Sequence, residues 1–296
     1  MLDDVIPYLV CPYCRDGLRR AGESLRCPAG HTFDIARQGY VSLLPAGATG
    51  GTGDTAAMVA ARAGFLASGH FGPLAAELAG AVAGELAGAA GGPAGPPGCV
   101  ADAGAGTGYF LAAVLDRCPD RAGLALDVSK FALRKAARAH PRMGAAGCDV
   151  WRRLPVADGA AAAALSVFAP RNGAELRRIL HPRGRLLVVT PEPGHLGELT
   201  GPLGLLSVDR RKDERLAGQL GGYFEVTGRR RATRRLRLSH PEVTALVAMG
   251  PSAWHVDAGT VAARLSRLPD PVPVTLAVAL SSYRPRVPVV THGDPH

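Results

Sequence analysis

The run Cys99-Val-Ala-Asp-Ala-Gly-Ala-Gly-Thr-Gly108, in which an apolar stretch passes directly into glycines at 104, 106 and 108, constrains this chain more than any other feature. A short apolar run bounded by glycine reads as a strand buried on both faces, and such strands occur almost only in parallel sheets covered by helices. Glycines at the carboxyl end of a first parallel strand permit a tight turn and a close approach of ligand to backbone, at the point where open α/β sheets bind ligands. A dinucleotide fingerprint wants glycine at the sixth place of the loop, where Tyr109 stands, so a dehydrogenase is disfavoured.

The texture downstream agrees with an α/β sheet. Strands are expected at Cys99–Ala103, Gly123–Asp127, Ala145–Asp149, Ala162–Phe168, Arg185–Thr190, Phe224–Arg229 and Val274–Leu280, with helical periodicity in SKFALRKAARAH and GAELRRIL between them. Asp102 opens the D-x-G-x-G-x-G loop with Gly104, Gly106 and Gly108. Asp127 ends the next strand about twenty residues on, where a carboxylate can hold a ribose diol. Asp149, at the end of the third strand, can accept from an adenine amino group while Val150 packs on the ring. Together these suit an adenosine-containing cofactor.

Glycine-rich breaks at 46–53 and 91–98 divide the chain into residues 1–45, a helical connector at 46–98, the sheet domain at 99–284 and a tail at 285–296. In the first segment Cys11-x2-Cys14 is followed, twelve residues later, by Cys27-x3-His31. Two such pairs suit a tetrahedral Cys3His zinc site, and a segment too short to bury a sufficient core gains its fold from the metal. Four protein ligands leave no open position for a catalytic water, so the zinc is read as structural and a zinc hydrolase is disfavoured.

The net charge of +9, from 34 Lys and Arg against 25 Asp and Glu, favours a polyanionic partner, although a solvated basic surface accounts for it equally well. Arginines 15, 19, 20, 26 and 37 surround the knuckles, and Arg229, Arg230, Arg231, Arg234, Arg235 and Arg237 form a second basic run that can track phosphates. No signal peptide or membrane span is legible, which points to the cytoplasm and, with six cysteines, to metal binding or buried thiols before disulfides.

These motifs together resemble the bacterial 23S rRNA (guanine-N1)-methyltransferases, including the branch that protects macrolide-producing actinomycetes. The likeness runs through HTFDIARQGYVSLL, GDTAAMVAARAGFLASGHFGPL, LDVSK, SVFAP, TPEPGHLGEL and PSAWH. Family members often carry Asp-Ile-Gly where this chain has Asp102-Ala103-Gly104, a change the loop should tolerate. The resemblance implies a class I, seven-stranded S-adenosylmethionine-dependent methyltransferase with an N-terminal zinc module. It further implies a domain II hairpin of 23S rRNA, beside the peptide exit tunnel, as substrate. One of two nearby guanines is modified in each branch, and DVWRRLP and VFAPRN look closer to the resistance branch.

A sulfonium methyl is already activated, so alignment and exclusion of water are the main tasks. Guanine N1 carries a proton that some group must take. His195 and Glu198 follow the strand ending at Thr190 and are candidates, though packing or capping explains either one. Phe168, in Phe-Ala-Pro at the fourth strand end, is a candidate for stacking on the base, with core packing an equal alternative, and Trp254 and His255 are further surfaces. A small-molecule methyltransferase and a non-catalytic zinc-containing RNA-binding protein remain as alternatives, and the sequence leaves a homodimer open.

Overall fold

The computed structural model describes residues 1–45, 53–88, 95–205, 218–250 and 257–286. The expectations for Trp254, His255, most of the glycine-rich breaks and the tail beyond 286 fall outside the described residues. The N-terminal segment begins with a 3-10 turn at Ile6–Tyr8, followed by the short strands β1 (Arg19–Ala21), β2 (Ser24–Arg26), β3 (Thr32–Asp34) and β4 (Tyr40–Ser42). Strands β1 to β3 form a small antiparallel sheet.

All seven expected strands are present as β5 (Cys99–Ala103), β6 (Gly123–Asp127), β7 (Met143–Gly147), β8 (Ala161–Val167), β9 (Leu180–Pro191), β10 (Phe224–Leu238) and β11 (Val272–Pro285). They form one sheet in the order β10-β11-β9-β8-β5-β6-β7-β4. Strands β4 to β9 within it run parallel, whereas β11 is antiparallel to both neighbours. This is the expected class I methyltransferase architecture. Residues of β5, β7 and β8 are buried throughout, which is why these strands read as unbroken apolar runs rather than as alternation. Strand order reverses at β5, flanked by β6 and β8, so the ligand crevice lies at its carboxyl end.

Helices α1 (Ala56–Ala67), α2 (Gly72–Gly88), α3 (Tyr109–Arg117), α4 (Lys130–Ala136), α5 (Gly173–Ile179), α6 (Gly197–Leu203), α7 (His240–Ala248) and α8 (Ala258–Leu265) surround it. Thr55, Ser129 and Asn172 cap α1, α4 and α5 by accepting from the third following amide, a standard side-chain remedy for unpaired N–H groups. Phe65, Leu74, Leu78 and Val82 share one core with Val100, Leu111 and Leu187. Thus α1 and α2, expected as a connector, are a helical layer of the sheet domain. Each fully buried leucine contributes about 1.5–3 kcal/mol.

The first forty residues cover the opposite face, where Leu2, Val5 and Leu9 pack with Leu124, Leu126 and Val156. Gly144 of β7 admits this segment, since a Cβ there would stand 2.2 Å from Val5 Cγ2. The amide of Val10 donates to Pro155 O, and that of Ala157 to Tyr8 O. β4 joins the large sheet beside β7, with Tyr40 opposite Ala145. The division expected at residue 45 therefore falls after the chain has already entered the large sheet. No described helix is long and apolar enough to cross a membrane.

Candidate functional site

The four expected metal ligands converge. Cys14 Sγ is 3.6 Å from Cys27 Sγ, and His31 Nδ1 lies 3.5 Å from Cys11 Sγ and 3.3 Å from Cys27 Sγ. All four ligand atoms lie within 4.8 Å of one another. A tetrahedral ion with Zn–S near 2.3 Å and Zn–N near 2.0–2.1 Å needs S···S of about 3.8 Å and S···N of about 3.6 Å, so the donor set fits zinc with Nδ1 as the histidine ligand. Tyr13 covers it, its ring 5.1 Å from that of His31 and stacked 6.1 Å from Phe33.

The loop after β5 is built as its glycines required. Gly104, Gly106 and Gly108 have φ of +82°, +55° and +78°, a region in which other residues are strained. The amide of Gly106 donates to Asp127 Oδ2 and that of Ser129 to Asp127 Oδ1, each at 2.8 Å. Asp127 keeps free lone pairs beyond these two bonds, as a ribose diol requires. Asp149 lies two residues past the end of β7, and its Oδ1 accepts from the amide of Trp151 at 2.9 Å. Val150 packs, partly buried, against the core beside the zinc module.

Asp102 is 2% exposed, and its Oδ1 has no hydrogen-bond partner. Burial first, and then the charge of Asp127, push its carboxyl up to about 7. A buried carboxylate with an unsatisfied oxygen is costly in isolation. It suits a cationic group delivered by a ligand, so the residues present fit S-adenosylmethionine.

Phe168 stands at the end of β8 with φ +53°, and the residue is 39% exposed. A left-handed conformation at a non-glycine residue costs roughly 1–2 kcal/mol. Ala169, held inward by that turn, closes on the cofactor loop: a Cβ on Gly104 would stand 2.6 Å from Ala169 Cβ. The Phe168 ring lies 6.0 Å from His195, 6.2 Å from Phe71 and 6.3 Å from Phe110. His195 thus shares this mouth with Phe168. Glu198, in α6, accepts at Oε2 from the amide of Thr275 at 2.9 Å, and its Oε1 pairs with Arg235 at 2.7 Å and with the Thr275 hydroxyl.

Sequence reading missed three residues here. Phe110 belongs to α3 and Phe71 to the turn just before α2, and only the fold turns them toward Phe168. Arg62 pairs with Asp54 and donates to Met249 O at 2.8 Å. Its Nη1 would be 3.3 Å from a Cβ on Gly106, so it sits over the cofactor loop. No local pattern signals this, because the contact joins α1 to the turns after β5 and α7.

Residues 9–49 match the family described as "RlmA, N-terminal", a zinc ribbon. A Micromonospora griseorubida protein named as a 23S rRNA (guanine-N(1)-)-methyltransferase is 54% identical over 96% of this chain and 100% of its own length. The "23S rRNA (guanine(748)-N(1))-methyltransferase" of Streptomyces fradiae is 53% identical over 96% of this chain and 99% of its own. Among solved structures, the [4+2]-cyclase SpnF aligns with a TM-score of 0.45 at 20% identity, covering 72% of this chain and 82% of that one. Identity of this level across nearly the whole length establishes that the chain belongs to the 23S rRNA (guanine-N1)-methyltransferase family.

Proposed function

We propose that this enzyme transfers a methyl group from S-adenosylmethionine to N1 of a guanine in a domain II hairpin of cytoplasmic 23S rRNA beside the peptide exit tunnel. We further propose that the target is the nucleotide named for the Streptomyces fradiae relative and that its modification protects against macrolides. The observation that carries the reading is the strained, half-exposed Phe168, tied through Ala169 to the cofactor loop and facing His195. The extent of identity to two actinomycete relatives supports the RNA class and the position.

S-adenosylmethionine, when bound, supplies an already activated methyl. Asp127 would hold the ribose, Asp149 and Val150 the adenine, and the buried Asp102 the positive charge. The chain's remaining task is alignment. Phe168 stacks on the guanine, and Phe71 and Phe110 exclude water behind it. His195 takes the N1 proton, directly or through a water, while Glu198, spent on Thr275 and Arg235, fixes the loop that carries His195.

Incubation with S-adenosylmethionine and unmodified 23S rRNA, followed by reverse transcription, tests this. A methyl on N1 blocks the pairing edge, so a single strong stop in the hairpin, absent with Asp102→Ala or Gly104→Ala, is expected. No stop with folded, cofactor-binding protein would overturn the substrate assignment.

A further inference from the structure

Helix α1 buries Met58, Val59, Phe65 and Leu66, positions whose spacing defines a single apolar stripe facing the sheet domain. Arg62 stands in the middle of that stripe, three and four residues from each pair. The pattern calls for an apolar side chain there. An arginine in that place is costly, because its charge must be satisfied as it leaves water.

The protein satisfies only part of this guanidinium. It pairs with Asp54, the two side chains being 26% and 23% exposed, and Nη2 donates at 2.8 Å to the carbonyl of Met249, the C-cap of α7. A guanidinium carries five N–H donors, and these are the partners of Arg62 among the described residues. The rest of the fork is left for a ligand. On that side it meets the cofactor loop: a Cβ on Gly106 would stand 3.3 Å from Nη1 and 3.7 Å from Cδ of Arg62. Of the side chains that would crowd a Cβ on Gly104, Gly106 or Gly108, that of Arg62 is the charged one.

Asp54 is tied to the same place. Its carbonyl accepts from Ser129 Oγ at 2.7 Å, while the Ser129 amide donates to Asp127. One hydrogen-bonded frame therefore presents Asp127, an acid suited to a ribose diol, and Arg62, a cation suited to an anion. S-adenosylmethionine carries a sulfonium, an α-ammonium and an α-carboxylate. Acids serve its positive groups and its hydroxyls, but the carboxylate needs a cation. We infer that Arg62 grips the α-carboxylate of the cofactor, for which its planar fork is matched, and that Asp54 and the Met249 carbonyl are positioning groups that aim the fork at the loop. The inference rests on S-adenosylmethionine as cofactor and on no property of the RNA target. A purely structural tie between α1 and α7 would be indifferent to the ligand's carboxylate, and that difference decides the experiment.

The zinc-loaded protein is titrated calorimetrically with S-adenosylhomocysteine and with S-adenosyl-3-thiopropylamine, which lacks only the carboxylate. The unaltered protein should bind S-adenosylhomocysteine at least about tenfold more tightly, as a charge-assisted pair requires. Arg62→Met, which keeps the length of the side chain within an apolar stripe, should erase that preference. It should do so by weakening S-adenosylhomocysteine while leaving the thiopropylamine within about twofold. Arg62→Lys, which keeps the charge without the fork, should recover part of the preference. Equal affinities for the two ligands in the unaltered protein would overturn the inference without recourse to any variant. Equal losses for both ligands in Arg62→Met would reduce Arg62 to a tie between α1 and α7 and overturn it as well. Both of these results leave methyl transfer to 23S rRNA standing, whereas failure of the unaltered protein to bind S-adenosylhomocysteine at all would remove the cofactor reading together with the inference.

Discussion

Gly106 and Asp127 are joined by a hydrogen bond of 2.8 Å from the loop amide to the carboxylate at the end of β6, so the glycine loop and the acidic strand end form one unit. Asp127→Ala removes the acceptor for both Gly106 and Ser129. Asp127→Asn keeps the shape but turns a donor toward one of the two amides. Calorimetric affinity for S-adenosylhomocysteine should fall at least about tenfold in either variant, with zinc content unaffected. Retained affinity in the asparagine variant would show that the carboxylate acts on neither loop nor ribose.

Asp102 predicts a pH dependence. Its folded pKa of about 7 lies above the ordinary 3.8, so the group's favourable contribution is fully present below about pH 4 and is lost as pH rises through 7, where the buried carboxyl ionises. Without cofactor, Asp102→Asn should therefore raise Tm at pH 8 by several degrees and change it little at pH 5. Binding of the cationic cofactor should release a proton near pH 6.5, measurable as a buffer-dependent heat. A cofactor-binding heat independent of buffer would contradict the pairing of Asp102 with the cofactor's charge.

Much of this was legible in the residues for physical reasons that vary by element. β5, β6 and β8 announced themselves because burial on both faces leaves few polar positions, and the Cys3His set because metal ligation fixes spacing. β10 extends nine residues beyond its expected end at Arg229: as an edge strand with both faces mostly wet, it can carry arginines where a buried strand cannot. The strand expected to end at Asp149 ends two residues earlier, at Gly147. β4 was invisible, because three residues completing a sheet edge carry no period. Phe71, Phe110 and Arg62 reach the site only through tertiary packing, which no local pattern encodes.

The zinc ion should matter for the module more than for the sheet. Two of its ligands, Cys11 and Cys27, are buried, and structural zinc in small modules contributes on the order of 10 kcal/mol to folding. Chelation at neutral pH should expose amides of residues 1–37 to hydrogen exchange while β5 and β8 stay protected. RNA affinity should fall and S-adenosylhomocysteine affinity should persist. Unchanged exchange after the metal has left would show that packing of Val5 and Leu9 suffices.

Phe168 separates stability from function. Glycine adopts φ +53° freely, so Phe168→Gly relieves roughly 1–2 kcal/mol of strain while losing the contacts of a residue that is already 39% exposed. The variant should keep its Tm within about 4 °C and bind S-adenosylhomocysteine normally. Its kcat/KM on RNA should drop by roughly a hundredfold. Full activity would remove Phe168 from the target site.

Glu198 and His195 can be told apart by their pH profiles. Burial acts to raise the Glu198 pKa, but the hydrogen bonds from Thr275 and the charge of Arg235 outweigh it and hold the group below its ordinary range. It is therefore ionised throughout the neutral range, its stabilising effect is lost only as pH falls through that low value, and a carboxylate so weakly basic is a poor acceptor at pH 7. Glu198→Gln keeps one oxygen for Thr275 and loses the Arg235 pair, worth at most about 1 kcal/mol at a largely exposed arginine. It should lower kcat less than about fivefold and leave the pH–rate profile in place. His195→Ala should lower kcat by about a hundredfold or more and change the shape of the pH–rate profile. A large kcat loss with a displaced profile in Glu198→Gln would transfer the proton-accepting role to the glutamate, whereas parallel small losses in both variants would leave N1 deprotonation to water.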